Sequence, residues 1–156
     1  MSSYTSIGIR ATPHEIHYTI LNGSINEFEI STIDSVVVPK ALRLPEQLKY
    51  IRNTFADIIN ESSAVIACIR TVEPTAQKIS IHRTYFEGVL QELIASSTIA
   101  KYYTGHVSSI SSKLSIPRAD FKLIVSSSNY EDIEIWKSMS PEARESFLAA
   151  RSAFNI

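Results

Sequence analysis

Several kinds of side chain in this sequence could do chemistry, and their spacing limits what each can do. Glu142 and Glu145 stand three apart behind Ser140-Pro141, so on a helix they share a face, where a carboxylate pair can hold a divalent cation. The plainer reading is that Glu142 complements the dipole of a helix start and Glu145 lies on a solvated face. Glu15 and Glu73 are further carboxylates, set close to His14 and His17 in one case and to Arg70 in the other. His14 and His17 would point to opposite faces of a strand, which argues against a metal pair. Arg10 and Arg70 each close an apolar stretch, Ser6-Ile7-Gly8-Ile9-Arg10 and Ile66-Ala67-Cys68-Ile69-Arg70. An arginine so placed reaches into solvent or pairs with a nearby acid such as Glu73, and two together can hold an anion by charge-assisted bonds. The single cysteine, Cys68, sits inside the second stretch, where burial is expected to keep its thiol inert.

Other chemistries lack their signatures. The sequence has no Gly-x-Ser-x-Gly nucleophile elbow, no phosphate-binding glycine loop and no dinucleotide fingerprint, and with four glycines it has little material for such loops. Tyr102, Tyr103 and Trp136 could stack on bases, but no basic residues interleave with them, so packing is the expected role. Trp136 has an alternative as an anchor for a partner. A net charge of -1 exerts no long-range pull on a polyanion, so a nucleic-acid partner would need a local basic patch.

These residues must be positioned by the elements around them. The 156 residues, 44% hydrophobic and 20% charged, suit one globular domain spanning 1–156. No apolar run reaches the roughly 20 residues of a membrane helix. The start Met1-Ser2-Ser3-Tyr4-Thr5 lacks the basic flank and apolar core of a signal peptide, so a cytoplasmic location and no membrane partner are expected. Tyr4 to Arg10 reads as a strand, Glu15 to Leu21 as a second, and Asn22-Gly23 as the hairpin turn leading to a third from Ile25 to Ile30. Leu44, Leu48, Ile51, Phe55, Ile58 and Ile59 recur at helical spacing. Ala64 to Ile69, apolar without alternation, is a central strand covered on both faces. Ser80 caps a second helix with rows Ile81, Tyr85, Val89, Leu93 and Phe86, Leu90, Ile94, a width that implies extensive burial, with Gly88 admitting close packing on the sheet. Ile99 to Thr104 is a fifth strand, Val107 to Leu114 a weak helix, and 117–129 is open between strand and helical turn. A final helix starts at Ser140-Pro141 and turns Phe147, Leu148 and Ala150 inward.

The resulting order, βββαβαβα in an α/β chain, resembles the RNase H-like fold with its mixed sheet, and Ser6-Ile7-Gly8-Ile9-Arg10 is similar to the first strand of RuvC-like Holliday junction resolvases. The resemblance implies that strands 1 and 4 are neighbours. It also implies that carboxylates from strand 1, strand 4 and the last helix should hold two metal ions. Arg10 stands at the position of the first-strand aspartate and Arg70 at that of the fourth-strand glutamate, and only Glu142 and Glu145 are similar to the family's terminal acids. The resemblance therefore implies a catalytically degenerate domain without a metal or other cofactor. In that reading Arg10, Arg70, Lys78, His82 and Arg83 form a site for nucleic acid or a phosphorylated ligand. Two other readings compete: an interaction or assembly module, pairing with a protein partner or a second copy, and a metal-dependent nuclease using displaced acids among Glu15, Glu73, Glu142 and Glu145.

Overall fold

The computed structural model describes residues 3–156. Met1 and Ser2, the first residues of the segment read above for a signal peptide, lie outside them. Three strands, β1 (Tyr4–Ala11), β2 (Glu15–Gly23) and β3 (Phe28–Val37), form an antiparallel meander. α1 (Leu44–Ser62), β4 (Ile66–Arg70), α2 (Ile81–Ser96) and β5 (Lys101–Gly105) follow, then α3 (Val107–Lys113), α4 (Arg118–Ser126) and α5 (Pro141–Ser152). The five strands make one sheet in the order β3-β2-β1-β4-β5, with β4 parallel to both neighbours. α3 forms where the weak helix was expected from Val107 to Leu114, and α4 resolves the stretch that the sequence left open.

Alternation along the strands divides the core in two. Ile7, Ile9, Ile16, Tyr18, Ala67 and Ile69 face α1 and α2, whereas Leu21, Ile66 and Cys68 belong to the cluster built around α5. β4 is thus apolar throughout because both of its faces are covered. α5 carries the second face: every residue from Ala143 to Ser152 is buried. Its small side chains let it settle onto β1 and β2, where the Ser6 hydroxyl donates to the Ala150 carbonyl at 2.6 Å and Thr19 and Ser146 share a hydrogen bond of 2.8 Å.

Three expectations need correction. The β2–β3 hairpin does not turn at Asn22-Gly23. Gly23, at φ +133°, is still paired with Phe28, and the chain reverses through Ser24 to Glu27, closed by the Ser24 amide donating to the Glu27 carbonyl at 2.8 Å. α2 buries a narrower face than its apolar rows suggest, since Ile81 is 64% and Tyr85 46% exposed. Gly88 is also exposed, and a Cβ there would meet no atom within 4 Å, so close packing on the sheet does not explain it.

Trp136 is fully buried, donating through Nε1 to the Ile124 carbonyl at 3.3 Å, which excludes it as a surface anchor. Among the described residues, no helix is long and apolar enough to cross a membrane.

Candidate anion site at the ends of strands 1 and 4

The register of the parallel β1–β4 pair places Arg10 directly beside Arg70 at the C-terminal ends of both strands. Parity sends both side chains to the face covered by α5, because Ser6 and Gly8, four and two residues earlier on β1, also meet that helix. There α5 supplies Glu145. Its Oε1 accepts from Arg70 Nε at 2.8 Å, and its Oε2 lies 3.3 Å from Arg10 Nε. Glu145 is therefore not on a solvated face, as its place near a helix start suggested. It is buried and bridges the two strand-end arginines.

Each guanidinium is also held from its far side. Arg70 Nη1 donates to Glu73 Oε2 at 2.9 Å and to the Thr71 carbonyl, and Arg10 Nη1 donates to the Ala11 carbonyl. Arg83, in the first turn of α2, donates through Nε to Glu87 Oε2 at 2.8 Å. Glu87 is itself buried and accepts from the Val72 amide, which ties the start of α2 to the segment after β4. Arg83 belongs to the same electrostatic cluster: burial holds its guanidinium below its ordinary value, the Arg10 charge adds most to that effect, and Arg70 contributes, against the opposing pull of Glu87.

The donors are not all matched. Arg10 Nε, close enough to Glu145 for ion pairing, is too poorly aligned for a hydrogen bond, and Arg83 Nη2 is buried with no acceptor. Buried donors without partners are uncommon and costly, so two in one cluster mark a place suited to an additional acceptor.

The ion pairs join Arg10, Arg70 and Arg83 to Glu145, Glu73 and Glu87, and neither Lys78 nor His82 takes part in them. Lys78 lies exposed before α2, and exposed His82 packs edge-on to Tyr85 with centroids 6.5 Å apart. His14 is exposed in the turn before β2. His17 is buried opposite Arg10 in the register, 3.5 Å from Glu15. Glu142 makes no ion pair with the cluster, being one turn nearer the start of α5. The sequence offers one local clue to Glu87, its helical i, i+4 spacing from Arg83.

Among the described residues, no three or more His, Cys, Asp or Glu side chains converge to hold a metal ion. Both oxygens of Glu145 face guanidiniums, and a hard cation placed between Arg10 and Arg70 would be repelled by them. The residues present do not fit a divalent metal.

No family model matches the chain, and no curated protein matches it in sequence. Its three-dimensional relatives are clear. T. thermophilus RuvC in complex with a Holliday junction substrate superposes with a TM-score of 0.68 at 9% identity, over 97% of this chain and 93% of that one. A second Thermus thermophilus RuvC structure gives 0.66 at 8% identity, over 98% and 94%. The mixed five-stranded sheet, with the arginine cluster at the ends of its first and fourth strands, is built on the RuvC-like, RNase H-like fold.

Proposed function

We propose that residues 1–156 form one catalytically degenerate RuvC-like domain, which binds nucleic acid or a phosphorylated ligand and does not cut it. Arg10, Arg70 and Arg83 supply the guanidiniums, with Lys78 and His82 as outlying cations. One observation carries this reading: the Arg10–Arg70 pair already holds an anionic group, the Glu145 carboxylate, between two strand ends. A site that cradles one oxyanion has the donor geometry for another. The RuvC neighbour, in complex with a Holliday junction substrate, supports nucleic acid as the source of that anion. A cytoplasmic location, in keeping with the one buried free thiol, belongs to the same proposal.

Binding of a short labelled oligonucleotide, measured against salt, tests it. Replacing Arg10 and Arg70 together by alanine should weaken binding and flatten the salt dependence by about one unit for each phosphate no longer neutralised. Incubation with magnesium or manganese should leave the oligonucleotide intact. Unchanged binding by a folded double variant would remove the site, and metal-dependent cleavage abolished by changing Glu73, Glu142 or Glu145 would overturn the reading.

A second reading, an assembly module, rests on the outer face of α2, where exposed Ile81, Tyr85 and Gly88 recur at the spacing of a helix–helix seam. The occupant it requires is a second copy of this chain. Light scattering of the purified protein decides it: a dimer converted to monomer by Tyr85→Glu supports this reading, and a monomer at all concentrations removes it.

A further inference from the structure

We infer that Glu145 is an internal competitor for the arginine cradle: it occupies the position of the external phosphate, and binding proceeds by its displacement. The inference rests on the anion-binding reading above and adds the regulation of that site. Three features carry it.

The other acids of the cluster hold the guanidiniums from outside the shared space. Glu73 engages Arg70 Nη1 and Glu87 engages Arg83 Nε, so both arginines stay oriented without Glu145. Among the described residues, Glu145 alone pairs with both strand-end arginines.

Glu145 is also an incomplete partner. A carboxylate offers two oxygens in one plane and here makes a hydrogen bond to Arg70 Nε alone, leaving Arg10 Nε, 3.3 Å away, unsatisfied. A phosphate group presents oxygens in a tetrahedral arrangement and carries more charge, which suits the two guanidiniums that β1 and β4 bring to Glu145, with the Arg83 charge close enough to be felt.

Release, finally, is local. α5 is fastened to the sheet by the Ser6–Ala150 and Thr19–Ser146 hydrogen bonds, so the Glu145 side chain can rotate outward while the helix stays docked. The path is short, because the side chains of Arg10, Glu145, Arg70 and Arg83 each retain between 8 and 16% exposure.

The test compares a labelled single-stranded oligonucleotide binding to the wild-type protein, Glu145→Gln and Glu142→Gln. The last removes the same charge from the same helix outside the cluster. Glu145→Gln should bind about tenfold tighter than wild type, the effect of one charge-assisted hydrogen bond gained. Its salt dependence should steepen by about one unit. Glu142→Gln should stay within a factor of about two, as expected of a distant screened charge. In the unmodified protein, titration with inorganic phosphate should shift the Arg70 Nε–H resonance in NMR spectra as its partner changes. This readout stands even if Glu145→Gln fails to fold. Wild-type binding that depends on Arg10 and Arg70 yet is not improved by Glu145→Gln, or an Arg70 resonance unmoved by phosphate, would overturn the competitor role and leave the binding site standing. No binding by any of the proteins would remove the site and the competitor together.

Discussion

Gly8 of β1 lies directly beneath Ala150 of α5: a Cβ on the glycine would fall 2.2 Å from the Ala150 amide nitrogen and 2.1 Å from the Ser146 carbonyl oxygen. No side chain fits there without lifting the helix that delivers Glu145. Gly8→Ala should therefore destabilise the protein by about 3 kcal/mol, at the upper end of overpacking costs. Urea denaturation checks the loss, and weakened dependence of binding on Glu145 should accompany it.

Cys68 should resist thiol reagents until the chain unfolds. Burial, the largest effect, pushes its thiol up to about 12 from 9.0, outweighing hydrogen bonds to Tyr103 and Ser152 and the nearby Arg70 and Lys113 charges. Between these two values the unfolded thiol loses its proton while the folded one keeps it. The folded state thus binds more protons, and stability falls as pH rises through this window, by up to about 1.4 kcal/mol per unit. Burial raises the Tyr103 hydroxyl in the same sense. Denaturation curves below and within the window measure the slope, and Cys68→Ala should lessen it. Rapid labelling of the native protein would contradict the prediction.

Arg144 holds together the segment between α4 and α5. Its guanidinium donates to the Trp136 carbonyl at 2.9 and 3.1 Å and to the Val125 carbonyl at 2.9 Å. Arg144→Met keeps the aliphatic bulk and removes every donor, taking this partner from the Val125 carbonyl and leaving the Trp136 carbonyl with the Met139 amide alone. A loss of about 3 kcal/mol is expected, together with a red shift in Trp136 fluorescence as water reaches the indole. An unshifted spectrum would show that packing alone keeps Trp136 in place.

Gly88 offers the opposite case. With nothing within 4 Å of its missing Cβ, Gly88→Ala should stabilise an isolated chain by about 1 kcal/mol through helix propensity alone. If a second copy approaches closely at this point, the same substitution should instead weaken self-association, which light scattering reads directly.

The sheet is legible in the sequence because its apolar residues recur at period two along β1 and β2, where small or polar residues such as Ser6, Gly8 and Thr19 meet α5, and run unbroken along β4. Ile66 to Ile69 could hardly be anything but a central strand, and Arg10 and Arg70 mark the ends of β1 and β4. α2 shows where this reasoning stops: periodicity reports which residues are apolar, not whether anything covers them, so Ile81 and Tyr85 read as buried. The Asn22-Gly23 turn fails for another reason. Gly23 does take a positive φ, but such a residue also serves inside the last rung of a ladder, and a Cβ at this one would lie 2.2 Å from the Glu27 carbonyl. Glu145 is hard to place because nothing within one helical turn of it identifies its partner. Arg70 lies 75 residues away in sequence, and only the complete fold brings the two charges together.

The Ser6–Ala150 hydrogen bond joins residues 144 apart, and it lies along the seam on which the second face of the sheet depends. Contacts so distant in sequence form late, because the entropy of closing the loop is lost before they return anything. The meander and the β4 unit can assemble from nearer partners, leaving Leu21, Ile66 and Cys68 uncovered until α5 arrives. During that interval the chain is an open sheet with a bare apolar face, the kind of species that aggregates. Docking of α5 therefore ends the period of greatest aggregation risk, and substitutions along this seam should lower the yield of refolding more than they lower equilibrium stability.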